Sequence, residues 1–233
     1  MTGPRGGRGK GSGTLLQLVR KDLLVGWHGR ARLVGLSTYA VTLLLVFSFA
    51  LGPDTATLHD HASAYAWVAL LSASTLLLAQ SFLQEVEGGA LEGLLLLPVS
   101  PVALFYAKAL ANLLLLLVLA GVLLPLGAVL FDVSPSGPPL ALAGILALGC
   151  AGLVAPGTLY AALTARVASQ QVLLPVLLFP LVVPPVLASV KATALLVDGD
   201  PMGQLGAWAG LLVAFDVLYW SLCGVLFGRV LEA

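Results

Sequence analysis

Six apolar stretches run along the chain, separated by short polar or proline-containing connections. They fall at about Leu33–Leu51, Ala62–Phe82, Leu104–Leu130, Leu140–Leu163, Val172–Val197 and Leu205–Phe227. Each is near the ~20 residues that a helix needs to cross a hydrocarbon core. The in/out alternation of barrel strands is absent, so the backbone polar groups must be satisfied within helices. The pattern predicts an all-α membrane protein with six transmembrane helices, the spanning domain covering residues 33–228 and a short tail covering 229–233. Pro125 is expected to end or kink the third span. Ahead of the first span, LLQLVRKDLLVGWHG places Leu15, Leu16, Val19, Leu23 and Trp27 near helical spacing, with Arg20, Lys21 and Asp22 largely opposite. Residues 14–32 therefore read as an amphipathic helix at the cytoplasmic interface. Residues 1–13, glycine-rich and basic, read as a disordered tail.

Composition supports the lipid-embedded class. Charged residues make up 9% of the chain and hydrophobic residues 59%, against roughly 25% charged in a soluble domain. The net charge of zero gives no sign of a nucleic-acid partner. Arg5, Arg8, Lys10, Arg20, Lys21, Arg30 and Arg32 precede the first span, and Lys108, Arg166 and Arg229 mark later connections on the same side. Connections 52–61 and 131–139 carry no Lys or Arg. The positive-inside rule then places both termini in the cytoplasm. Lys191, near the far end of span five, can snorkel outward. The tail fails as a phosphate-binding loop, because GxxxxGK ending at Lys10 would need glycine where Pro4 stands. It does not read as a cleaved signal either. Cys150 and Cys223 form no CxxC or haem-attachment motif.

The stretch EVEGGALEGLLLLPVSP, Glu85–Pro101, concentrates three acids in a chain that has few. As a short helix from about Gln84 to Leu97, it puts Glu85 and Glu92 on one face. Leu91, Leu94 and Leu95 form an apolar stripe, and Glu87 lies elsewhere on the wheel. Gly88 and Gly89 weaken such a helix by about 1 kcal/mol each, which suits a bend or a close backbone contact. Pro98 and Pro101 end it. Leucines flanked by acids suit a groove with a basic rim in a partner protein. A negative cytoplasmic leaflet disfavours the alternative of a helix lying on the membrane.

Other polar residues stand out against the apolar background. His59 and His61 flank Asp60 in the first external connection, where imidazoles can bind haem iron or a metal; a solvated loop is the plainer reading. Asp216 sits mid-span in LVAFDVLYW and must face the bundle or a wet cavity, carry a proton, or find a partner. Asn112 and Tyr160 are candidates for that partner. Gly149, Gly152 and Gly157 suit close helix packing. Trp67, Trp208 and Trp220 fit interfacial or packing positions. Pro175, Pro180, Pro184 and Pro185 bend span five and free carbonyls. No acid/base or metal constellation converges, so an enzyme is not expected.

Two blocks resemble a known family. Phe82, Glu85, Gly89, Leu91, Glu92, the LLLLP run and Ala107–Lys108 form the first; Leu163, Thr164, Arg166, Pro180, Leu181 and Pro184 form the second. Together they resemble the haem exporter protein B (CcmB) family, membrane subunits of the ABC transporter of cytochrome c maturation. The chain departs from the family pattern at Gly88, where an Asp is usual and Glu87 is the nearby acid, and at Ser169–Gln170–Gln171. The resemblance implies an ABC-2-type export permease of the bacterial inner membrane, without catalytic activity. It implies a separate cytoplasmic ATPase, which supplies the ATP and docks on a coupling element built from Glu85, Glu87, Gly89, Leu91, Glu92, Leu94 and Pro98. It also implies a haem-handling membrane subunit, a small accessory membrane subunit and a haem chaperone as partners. Haem is then a transported or handled ligand, and no cofactor is bound directly. An export permease for lipid or another amphipathic substrate, and a non-transporting scaffold for haem-handling proteins, are the competing readings.

Overall fold

The computed structural model describes residues 30–50, 55–87, 100–165 and 170–232. These form α1 (Arg30–Ala50), α2 (Thr55–Glu87), α3 (Pro101–Leu130), α4 (Pro139–Thr164), α5 (Gln170–Asp198) and α6 (Leu205–Glu232). All six are long and apolar enough to cross a membrane. Valines, leucines and phenylalanines such as Val34, Phe49, Val183 and Val225 remain exposed on their outer faces. In water that would be a liability; in a bilayer it is the lipid-facing surface.

Successive helices run in alternating directions. The end of α2 meets the start of α3 through Lys108 and Ser81, and the start of α3 meets the end of α6 through Pro101 and Gly228. This is the Ser100 end. At the opposite, Phe131 end, the last turns of α1 and α3 touch through Leu44 and Gly127, and the start of α2 reaches the end of α5. α4 is the central element and packs on α2, α3, α5 and α6. The main core gathers Trp67, Phe105, Leu116, Leu153, Leu178 and Phe227 from five helices, and a smaller cluster forms around Ile145, Ala188, Ala192, Leu196 and Leu212.

Local chemistry sets the helix ends. Ser100 caps α3, its Oγ accepting the Ala103 N–H at 3.3 Å, with Pro101 at the first helical position. The α3–α4 connection caps α5. Gly137 N–H donates to the Leu196 carbonyl and Ser136 Oγ to the Val197 carbonyl, both at 2.8 Å, filling acceptors that a helix end leaves open. Between α5 and α6, Gly199 and Gly203 take φ values of +98° and +66°, which only glycine adopts without strain. That turn brings the Asp200 carboxylate onto the Gln204 and Leu205 N–H groups, each at 2.8 Å. These two hydrogen bonds hold the Asp200 carboxyl below its ordinary value.

Several boundaries differ from the sequence reading. Residues 30–32, the end of the stretch expected as an amphipathic helix over 14–32, belong to α1; the rest of that stretch and the tail over 1–13 lie outside the described residues. α3 starts at Pro101, one turn before the expected span, and continues through Pro125 to Leu130, the end given from the sequence. α2 begins at Thr55, so His59 and His61 sit on its first turns and not in a loop. Apolar content marks where a helix enters lipid, whereas backbone hydrogen bonding carries α2 beyond that depth. At its other end α2 runs unbroken through Glu87, so Gln84–Glu87 continue span two and do not start a separate helix.

Candidate functional site

Among the described residues, three polar groupings interrupt the apolar bundle. The first is at the Ser100 end. Lys108, 5% exposed, sends its Nζ to the Ser81 backbone carbonyl at 2.9 Å. One turn further along α3, Asn112, 3% exposed, donates from Nδ2 to Thr158 Oγ1 at 3.3 Å and to Ser81 Oγ at 3.5 Å. Ser81 Oγ in turn donates to the Leu78 carbonyl. Amide, hydroxyl and ammonium donors thus join α2, α3 and α4, and buried polar groups satisfied in this way fix a register between helices.

The second grouping lies mid-bundle on α6. Asp216 is 9% exposed, and neither carboxyl oxygen has a hydrogen-bond partner among the described residues. The carboxyl fits because Gly152 faces it: a Cβ there would lie 3.2 Å from Oδ1 and 3.1 Å from Pro185 Cβ. One turn on, Tyr219 OH donates to the Leu181 carbonyl at 2.8 Å. Pro185 has no N–H, so Leu181 has lost its helical partner, and the tyrosine supplies the missing donor. Trp220 Nε1 donates to the Ala151 carbonyl at 3.3 Å, and its own carbonyl accepts from Tyr106 OH at 3.1 Å.

The third is at the Phe131 end. A partly open cavity of about 370 Å³ is lined by α2, α3, α4, α5 and the α3–α4 connection. Its walls are apolar except for Ser63 and Thr193. His59 Nδ1 lies 3.8 Å from Asp198 Oδ1, both partly exposed. His61 is set against Tyr65 edge-on, with ring centroids 6.1 Å apart. Among the described residues, no three His, Cys, Asp or Glu side chains are grouped as a metal site.

A family model described as CcmB protein matches residues 13–231, from ahead of α1 to the end of α6. The chain belongs to the CcmB family. It is 32% identical over 213 residues to heme exporter protein B of Bradyrhizobium diazoefficiens, covering 88% of this chain and 90% of that relative. The protein of the same name from Rhodobacter capsulatus is 37% identical over 154 residues, 65% of this chain and 68% of the relative. For that of Escherichia coli K12 the figures are 29% over 96 residues, 41% and 44%.

In this CcmB chain the acidic stretch expected to form a coupling element lies only partly within the described residues. Glu85 and Glu87 lie in the last turn of α2, their side chains outside the described residues; Gly89, Leu91, Glu92, Leu94 and Pro98 lie outside them altogether. Asp216 is buried as expected of an intramembrane acid, but Asn112 is engaged with Ser81 and Thr158 instead. The sequence reading missed the burial of Lys108, which it took as a marker of a connection. A lone lysine one turn inside an apolar helix, four residues before an asparagine, is the signal for it. It also missed Thr158, Tyr219, Thr193 and Asp198. Hydroxyls and short acids near span ends are common, and nothing in their spacing names a partner on another helix.

Proposed function

We propose that this chain is the membrane-spanning, noncatalytic subunit of an ATP-driven haem exporter that serves cytochrome c maturation in the bacterial inner membrane. The observation that carries the reading is that the family match runs through all six helices. The N- and C-termini lie in the cytoplasm, as the distribution of Lys and Arg favours. The Ser100 end of the bundle is then the cytoplasmic end.

A separate ATPase docks on the segment that joins α2 to α3. Glu85, Glu87 and Glu92 pair with its basic rim, while Leu91 and Leu94 fill its groove and Gly89 and Pro98 shape the turn. The ATPase holds the nucleotide, and this chain binds no cofactor of its own. Because α2 is continuous to Glu87, a displacement of the docked segment acts on α2 directly. It reaches α3 and α4 through Lys108, Asn112 and Thr158. Nucleotide state in the partner thereby biases the bundle between two arrangements. A haem-handling membrane subunit, a small accessory subunit and a haem chaperone complete the assembly.

The test is affinity purification in mild detergent, with identification of the co-purifying chains, for wild type and for Glu85→Ala/Glu92→Ala. The expected result is recovery of an ATPase and a haem-handling membrane protein by wild type, with only the ATPase lost in the variant. Recovery of neither by folded wild type refutes the reading.

A further inference from the structure

The cavity at the Phe131 end has a rim that the proposed function does not yet use. On α2 the lining residues are Ala62, Ser63 and Ala66. His59 precedes them by three, four and seven positions, and at 100° per residue it falls in the middle of that face. His61 falls about 200° away, on the face that carries Tyr65. On α5 the last lining residue is Val197, and the next is Asp198, the partner of His59. The His59–Asp198 pair therefore stands over one edge of the cavity, one turn beyond its walls.

The chemistry of the two parts narrows the ligand. The cavity is within the roughly 300–1,000 Å³ range of small-molecule sites. Its walls offer two hydroxyls and no charge, which suits a large apolar body. The Asp198 carboxylate, 3.8 Å from Nδ1 and so outside hydrogen-bond distance, favours through its charge the tautomer with the proton on that nitrogen, leaving the Nε2 lone pair for a ligand. One imidazole cannot hold a bare metal ion, and no third His, Cys, Asp or Glu side chain joins the His59–Asp198 pair among the described residues. A single axial nitrogen suffices only for a metal that already has an equatorial set of donors, inside an apolar ring. A lipid acyl chain would fill the cavity but would make no use of the imidazole.

From this juxtaposition we infer that the cavity and His59 form an iron-porphyrin site, with the ring edge among the α2–α5 walls, His59 as axial ligand and Asp198 orienting it. The inference rests on the haem-export reading and adds to it a place on this chain where the cargo is held.

The experiment is a titration of the full-length detergent-purified chain with ferric haem, followed by the Soret band, and with metal-free protoporphyrin, followed by fluorescence. Wild type is expected to saturate with haem and to show a histidine-ligated spectrum. His59→Ala loses that spectrum, whereas His61→Ala keeps it. Asp198→Asn weakens haem binding by about tenfold, the lower end for a residue that orients a metal ligand. Gly121→Leu adds bulk at a lining position where a Cβ meets no atom within 4 Å, and it weakens both porphyrins without disturbing the fold. Absence of saturable binding by wild type, equal haem spectra for wild type and His59→Ala, or unchanged binding by Gly121→Leu overturns the inference. So does a cavity occupied by lipid that haem does not displace. ATPase recovery is scored separately: Glu85/Glu92-dependent docking without haem binding removes the site and leaves the docking.

Discussion

Gly149 gives a sharp test of how the bundle is packed, because two fixed side chains surround it. A Cβ added there would collide with the ring of Trp67, lying 2.8 Å from its Cζ3, and would lie 2.5 Å from Ser189 Oγ. Neither neighbour can retreat freely. Trp67 is fully buried, with its Nε1 bonded to Thr193 Oγ1 at 3.0 Å, and Ser189 Oγ donates to the Pro185 carbonyl at 2.8 Å. Overpacking of a dense core costs about 1–3 kcal/mol. Displacing the indole adds about 0.5–1.5 kcal/mol for its hydrogen bond. Alanine returns up to about 1 kcal/mol in helix propensity. Gly149→Ala is thus expected to destabilise by about 1–3 kcal/mol net.

Gly144 supplies the control within the same helix, since a Cβ there meets no atom within 4 Å. Gly144→Ala should leave stability unchanged or raise it by up to about 1 kcal/mol. Thermal melts in one detergent, read as the fraction that remains monodisperse, compare the two. At about 2–4 °C per kcal/mol for a chain of this size, the Gly149 variant should melt several degrees below the Gly144 variant. Combining Gly149→Ala with Trp67→Phe, which removes ring volume, should cost less than the sum of the single changes. Equal melting of Gly149→Ala and Gly144→Ala, or strict additivity in the double variant, refutes the reasoning.

The same melts test three other contacts. Tyr219→Phe leaves the Leu181 carbonyl without a donor and should cost about 1–3 kcal/mol; in a Pro185→Ala background, where the helical N–H returns, the cost should largely vanish. Asp216→Asn keeps the shape of an unpartnered side chain and is expected to melt at or above wild type, so a loss of several degrees would reveal a stabilising partner for the carboxyl. Asp200 is held below its ordinary value of 3.8 by the N–H groups of Leu205 and Gln204. A depressed acid stabilises the fold at pH above that ordinary value and ceases to do so as pH falls through the folded value. Wild type should therefore lose its advantage over Asp200→Asn below about pH 4, and a difference in melting that is the same at pH 3 and pH 6 refutes this cap.

Six apolar stretches fixed the number and order of the helices, because length and composition alone decide whether a segment can cross a bilayer. The ends were less legible. Helix α2 extends past its apolar stretch at both ends, so His59 is helical and lies one turn before the lining residues Ala62 and Ser63, where the sequence reading had it in a connection. Position on a wheel separates His59 from His61, but only once the segment is known to be a helix. Lys108 shows a different difficulty. A basic residue near the start of a span ordinarily marks the membrane surface. Its burial depends on the end of α2 offering the Ser81 carbonyl, a residue 27 positions away in sequence. The partner of the Pro185-freed carbonyl was hidden for the same reason. A proline announces that an acceptor has been released, and the answering donor, Tyr219, is on another helix.

Helix α4 shows what a small residue does and does not encode. Its glycines at 149, 152 and 157 read from sequence as packing positions, and each one receives a different neighbour: Trp67 and Ser189 at the first, Pro185 and Asp216 at the second, Leu78 at the third. A glycine records only that a Cβ is excluded, not which side chain excludes it. The three lie on a helix in contact with four others, so their neighbours come from α2, α5 and α6. The acid of α6 and the proline bend of α5 meet over Gly152, and a side chain at that one position would press on both. A rearrangement that slides α6 along α4 must therefore carry Asp216 off Gly152 and Tyr219 off the Leu181 carbonyl together, or leave α5 with an unanswered acceptor. That links the central acid to the proline-broken helix through a single contact surface, and it makes Gly152→Ala, which adds one methyl to that surface, the substitution that should disturb α5 and α6 at once.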